Sequence, residues 1–363
     1  MRVAQIAPLA ESVPPKFYGG TERIVSYLTE ELVALGHDVT LFASGDSDTT
    51  AGLIAGCPRA IRLDPAVLDP LPHHLLMLEQ VRRQAEDFDI LHFHIDLLHF
   101  PLFRSLGDRV ITTLHGQLDL PDLWPFFREF NNMPLVSISD AQREPMPPVR
   151  WAGTVYHGVP AELYRLHPTP GSYLAFLGRM SPEKQPEHAI EIARRSGIPL
   201  KMAAKVDKVD RAFFEARVKP LLDHPLIEFI GEIGDQEKDA FLGNALALLF
   251  PIDWPEPFGL VMIEAMACGT PVVAYRCGSV LEVVDDGVTG FVVDGVDSAV
   301  AAVGRLGLLD RAQVRSRFEE RFSAARMAAD YVALYEKAVT GWGGRRPLET
   351  LIPPLDLPPL GID

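Results

Sequence analysis

Short apolar runs of strand type recur along this chain, each separated from the next by a stretch with helical spacing. That alternation restricts the fold more than any single motif. The first half carries RVAQIA (2–7), DVTLFA (38–43), DILHFH (89–94), RVITTL (109–114), PLVSI (134–138) and GTVYH (153–157). Punctuation thickens at LHPTPGS (166–172). The beat then restarts with YLAFLG (173–178), PLKMAA (199–204), LIEFI (226–230), ALALLF (245–250), PVVAY (271–275) and GFVV (290–293). Strands alternating with helices need crossover connections, so the sheets are parallel and covered on both faces. Within GGTERIVSYLTEELVALGH (19–37), Ile24, Leu28, Leu32 and Leu35 share a helical face, and Gly36 ends the run. Segments 184–196 and 210–222 also read as helical.

The expected architecture is α/β: two Rossmann-like, doubly wound domains of about six strands each, facing each other across a cleft. The expected boundaries are 1–167, 168–320 and a C-terminal segment 321–363 that crosses back to the first domain. Residues 310–341 read as a long helical stretch broken once. RRPLETLIPPLDLPPLGID (345–363) is too proline-rich for a helix or a central strand, and is read as an extended or disordered tail. Open α/β sheets bind ligands beyond the carboxyl ends of their strands, so strand ends are the residues to inspect.

Composition narrows the function. The 363 residues carry a formal net charge of −15, which argues against a nucleic-acid partner, whose phosphates need a basic face. No run approaches the ~18 apolar residues of a membrane span, and the N-terminus reads as a strand, not a secretory leader. Cys57, Cys268 and Cys277 are odd in number and lack metal-site spacing, which fits reduced thiols in a cytoplasmic protein.

Candidate chemistry clusters in three places. After RVAQIA there is no G-x-G-x-x-G, so the dinucleotide reading loses its support. Instead Gly19 and Gly20 open a helix, where backbone amides suit a phosphate or the glycines merely permit a turn. YLAFLGRMSPEK sets Arg179 and Lys184 around the loop after a strand; both could face one anion, or be ordinary surface cations. In PEPFGLVMIEAMACGTPVVAY (255–275), Glu256 precedes a helix expected over 258–268 and Glu264 lies inside it among apolar residues. A buried carboxylate costs several kcal/mol unless paired. A structural pairing of Glu264 with a core cation is one reading, a ligand is the other. Phe258, Gly259 and Leu260 supply amides at the helix start.

These motifs resemble the retaining nucleotide-sugar glycosyltransferases of family 4, with the GT-B fold. The E-x7-E arrangement of EPFGLVMIE, then AMACGTPVVA, is the most specific element. GGTERIV, GRMSPEK and GSVLEVVDDGVTGFVV occur in the family's order, over roughly residues 1–340. The resemblance implies that Glu264 binds ribose hydroxyls, without a buried cation as partner, and that Glu256 contacts the donor sugar. It implies that the amides of Phe258, Gly259 and Leu260 hold sugar and phosphate, and that Arg179 and Lys184 neutralise the diphosphate. Gly19 and Gly20 match a loop that approaches the donor, and His115 a histidine near the reacting sugar. The sequence departs from the family with KQ after the lysine, KMAAKVDKVD in place of a glycine-rich turn, HGV at 157–159 and CGSVLE before Glu282. Lys205 is a further candidate phosphate contact.

The implied reaction moves a sugar from a nucleoside-diphosphate sugar to an acceptor hydroxyl, with retention, no cofactor and no metal. Acceptor recognition is expected from loops near 8–18, 92–100 and 115–130, whose Phe17, Tyr18, Phe93, Phe100, Trp124, Phe126 and Phe127 suit a sugar or a core equally. His92 and His94 share a face, in a structural or acceptor-side role in preference to a metal pair. The triplets DSD (46–48) and DFD (87–89) are read as chance in an acidic chain. Two alternatives remain: a nucleotide-sugar epimerase of the same fold, and a non-catalytic nucleotide-sugar-binding protein.

Overall fold

Both sheets are wholly parallel in the computed structural model, which describes residues 1–16 and 19–342. The first contains β1 (Arg2–Ile6), β2 (Asp38–Ser44), β3 (Gly52–Cys57), β4 (Ile90–Phe93), β5 (Val110–Thr113), β6 (Leu135–Ser137) and β7 (Trp151–Thr154). Their order is β3-β2-β1-β4-β5-β6-β7. The second contains β8 (Tyr173–Arg179), β9 (Leu200–Lys205), β10 (Ile227–Gly231), β11 (Ala245–Phe250), β12 (Val272–Tyr275) and β13 (Gly290–Val293). Their order is β10-β9-β8-β11-β12-β13. In each sheet the first strand in sequence lies inside, paired on both sides: Val3 opposite Val39 and Ile90, and Leu174 opposite Leu200. The strand order reverses at β1 and at β8, so the crevices open beyond β1/β4 and β8/β11.

The central strands are buried on both faces, as continuous apolar runs require. Val3, Ala4 and Ile6 of β1 are fully buried, and so is Gln5, a lone amide in that run. The first sheet has one strand more than the apolar runs suggested. β3 is an edge strand with two glycines and mostly exposed or half-buried side chains, so its sequence has no buried-strand signature.

The C-terminal stretch breaks once, at Ser323, between helices Arg311–Phe322 and Ala324–Trp342. Ser323 is extended and bridges to Val159. The Val159 amide donates to the Phe322 carbonyl (3.0 Å), and the Ala324 amide donates to the Val159 carbonyl (3.0 Å). Gly158 is needed here: a Cβ would collide with the Ser323 carbonyl. The two helices serve different sheets. Val314, Phe318 and Phe322 pack with Ile263 and Met266 in the second half. Met327, Ala328, Tyr331 and Tyr335 pack with Val3, Ile24, Ile90 and Ile111 under the first sheet. The expected Pro-rich tail, 345–363, lies outside the described residues.

Candidate active site

Every residue proposed for donor binding or catalysis lines one cleft of about 770 Å³ between the two sheets. Gly19 and Gly20 arrive from the loop after β1, His115 from beyond β5 and Arg179 from the end of β8. Lys184 follows on the next turn, and Glu256, Phe258, Gly259, Leu260 and Glu264 come from the segment after β11. These elements meet because they follow strand ends at or near the two order reversals.

The helix after β11 spans Leu260–Ala267, beginning two residues later than the sequence suggested. Gly259 is its N-cap, at φ 80°, a conformation that disfavours any residue with a Cβ. The chain leading to it is buttressed from behind. The Ser279 hydroxyl donates to the Phe258 carbonyl (2.9 Å), and the Ser279 amide to the Glu256 carbonyl (3.1 Å). Gly278 is at φ 53°, and a Cβ there would collide with the backbone of Glu256. The departure CGS thus shapes the carboxylate loop. From the first half, the Ser139 hydroxyl donates to the Pro257 carbonyl (2.6 Å). Glu282 accepts from the amides of Asp140 and Ala141, each at 2.7 Å, so this acid ties the halves together.

Glu264 is 3% exposed and is not without a cation, contrary to the expectation. Lys238 Nζ donates to its Oε1 at 2.8 Å, and the Tyr164 hydroxyl also hydrogen-bonds to it. Burial, and then the Glu264 charge, push the Tyr164 phenol up. The pairing offsets the cost of the buried carboxylate. Lys238 also lies 3.2 Å from Asp235, which pairs with Arg23 of the first half. The acid nevertheless borders the cleft, as does Lys238. Lys238 was missed because it sits on a polar helix outside any recognised motif.

The two cations are engaged by acids. Lys184 pairs with Glu256 and lies 5.6 Å from the Phe250 ring centroid and 5.3 Å from that of Trp254, within cation–π range. Trp254 Nε1 donates to the same Glu256 oxygen at 3.1 Å. Arg179 donates to Glu183 (2.7 Å), with Asp207 and Asp210 each 3.9 Å away. Lys205 lines the cleft and lies 3.0 Å from Asp207. Gly20 faces Leu260 across the cleft, 4.0 Å from the position of a Cβ.

His115 is half-buried, and burial pushes its imidazole down to about 3, so it is neutral near pH 7. Its ring stacks on His157, centroids 5.2 Å apart and planes at 18°, and His157 sits edge-on to Phe258 at 5.0 Å. His157 is the histidine of the HGV departure. His94 and His92 are buried: His94 bonds His115 (2.8 Å) and Gln5 (2.7 Å), and His92 bonds Thr113 (2.7 Å) and Tyr335 (2.7 Å). Among the described residues, no three His, Cys, Asp or Glu side chains are grouped to hold a metal. Asp46 of DSD accepts from Ser44 (2.8 Å) and the Ala60 amide (2.9 Å), and Asp89 of DFD from Arg2.

The loop aromatics divide. Phe93, Phe100 and Phe127 are core, Phe126 packs against that core, and Trp124 is exposed with its Nε1 bonded to the Pro145 carbonyl (2.7 Å). Phe17 and Tyr18 lie outside the described residues. No described helix is long and apolar enough to cross a membrane.

Two family models match in tandem: Glycosyltransferase Family 4 over residues 18–143, and Glycosyl transferases group 1 over residues 165–322. The chain belongs to glycosyltransferase family 4. The enzyme is 25% identical over 386 residues to a phosphatidyl-myo-inositol mannosyltransferase of Mycobacterium leprae, covering 94% of this chain and 98% of that protein. Its fold matches AviGT4, a glycosyltransferase involved in avilamycin A biosynthesis, at TM-score 0.70 and 23% identity, over 94% and 98% of the two chains. It also matches Anabaena HepE, solved in complex with UDP and glucose, at TM-score 0.67 and 16% identity, over 93% and 100%. The transferase therefore has the GT-B fold.

Proposed function

We propose that this glycosyltransferase moves a sugar from a nucleoside-diphosphate sugar to an acceptor hydroxyl, with retention of anomeric configuration and without a metal. The observation that carries the reading is the convergence of Arg179, Lys184, Glu256, the Gly259 helix start and Glu264 on one interdomain cleft. Glu264 binds the ribose hydroxyls beside Lys238. Arg179, Lys184 and the helix amides stabilise the negative charge that develops on the leaving diphosphate. The Lys184–Glu256 pair opens as donor enters, freeing the lysine for phosphate and the glutamate for sugar hydroxyls. The sugar passes through an oxocarbenium-like state. The acceptor hydroxyl attacks from the face the diphosphate leaves, and its proton passes to a departing phosphate oxygen. Glu256 positions the sugar and forms no covalent bond to it. Residues 1–167 serve the acceptor, and 168–320 the donor. The unpaired Cys57, Cys268 and Cys277 support a reducing, cytoplasmic setting.

The test is a thermal-shift screen of nucleoside diphosphates and their sugars, beginning with UDP because a structural neighbour binds it. Transfer with the best donor is then followed by proton NMR, with and without chelator. Retention and unchanged turnover in chelator are expected. Inversion overturns the stereochemical reading, and loss of activity in chelator overturns metal independence. Conversion of the donor without acceptor would favour an epimerase instead.

A further inference from the structure

Behind His115 runs a continuous buried hydrogen-bond chain whose far end lies on the returning C-terminal helix. Gln5 Nε2 donates to the Tyr335 hydroxyl at 3.1 Å, which leaves Gln5 Oε1 to accept from His94 Nε2 at 2.7 Å. Burial pushes His94 well below the ordinary histidine range, so it is neutral and carries one proton. With that proton on Nε2, His94 Nδ1 is a lone pair and accepts from His115 Nε2 at 2.8 Å. His115 is neutral as well. Its proton is therefore on Nε2, and Nδ1 is left as an acceptor. That Nδ1 is buried and has no hydrogen-bond partner, on a residue that lines the cleft.

The other branch agrees in direction. Having accepted from Gln5, the Tyr335 hydroxyl donates to His92 Nδ1, and His92 Nε2 donates to Thr113. Thr113 in turn shares a 2.9 Å bond with the Tyr331 hydroxyl. Each neutral imidazole must donate on one side and accept on the other, so the orientation of the Gln5 amide decides the direction of the whole chain.

We propose that Gln5, His94 and Tyr335 are positioning residues that hold His115 in its Nε2–H tautomer, so that Nδ1 meets a hydroxyl of the donor sugar as an acceptor. This rests on the reading that His115 faces that sugar. The C-terminal helix is thereby part of the machinery of the site, although none of its described side chains lines the cleft.

The test is a long-range 15N–1H correlation spectrum of the full chain with 15N-labelled histidine, His115 being assigned by its loss in His115→Gln. Wild type should show the Nε2–H tautomer. Tyr335→Phe and Gln5→Leu should each shift His115 towards Nδ1–H. Each should lower kcat by about tenfold or more, as tautomer loss does in a serine-protease triad, while KM for the nucleotide sugar moves less than about twofold. An Nδ1–H His115 in wild type overturns the proposal whether or not the variants fold, and so does an unchanged tautomer in both variants. Undiminished transfer by His115→Ala would instead overturn the sugar contact, leaving the tautomer result standing.

Discussion

Lys238 Nζ sits 2.8 Å from Glu264 Oε1, so the acid in the most apolar helix of the cleft is tied to a cation from the neighbouring helix Asp235–Gly243. Lys238→Met leaves that charge buried and uncompensated. Urea denaturation should show a loss on the order of 3 kcal/mol. Lys238→Met together with Glu264→Gln should recover much of it. An unchanged urea midpoint in Lys238→Met would mean that the pair has little weight in the fold.

Lys184 and Glu256 form the other pair, at the expected phosphate and sugar end. Lys184→Ala and Glu256→Ala should each lower kcat by roughly 100-fold or more, the scale of a lost group that stabilises transition-state charge. Their melting temperatures should stay within a few degrees of wild type. Steady-state nucleotide release with paired calorimetric scans checks both halves of this expectation.

Ligand linkage gives a third prediction. The cognate nucleotide at about 100 times its Kd should stabilise the fold by roughly 2.7 kcal/mol. In Glu264→Ala the shift at the same concentration should shrink. An undiminished shift would remove Glu264 from the nucleotide site.

Acid should destabilise the protein early. His92, His94, His99, His115 and His157 are all pushed down by burial, His115 to about 3. Below the unfolded value near 6.5, the unfolded chain binds protons that the native state refuses. Stability is therefore full above that value and falls as pH drops from it towards the folded values. At one pH unit below 6.5, each such histidine removes about 1.4 kcal/mol. Urea midpoints at pH 7.5 and 5.5 should differ sharply, and His99→Gln, remote from the cleft, should reduce the difference.

Gly158 permits the close crossing at Ser323 that turns the last helix back to the first sheet. Gly158→Ala should cost roughly 2 kcal/mol through overpacking against a backbone carbonyl. A wild-type melting temperature would show that the crossing yields easily.

The order of strands and helices was legible because buried parallel strands are continuous apolar runs and the helices between them are amphipathic. β3 escaped that reading because an edge strand need not be apolar. The cleft residues were legible as motifs, since glycines, paired acids and cations near strand ends have few other reasons to coincide. Their partners were not. Lys238 looks like an ordinary polar residue, and Ser279 and Glu282 stand in a motif that does not name their partners, until folding brings the three against Glu264, the Phe258 carbonyl and the Asp140 amide.

The kind of donor to expect is only what the resemblance to family 4 implies; by itself the sequence determined two doubly wound halves and the strand ends to inspect. Those follow from periodicity and from residue types confined to short spans. Only the tertiary structure decided which groups share charge and protons. Gln5 and Tyr335 stand 330 positions apart and are hydrogen-bonded, because the last helix packs beneath the first strand. An interaction of that separation leaves no local pattern, so its chemistry exists only once the chain has closed.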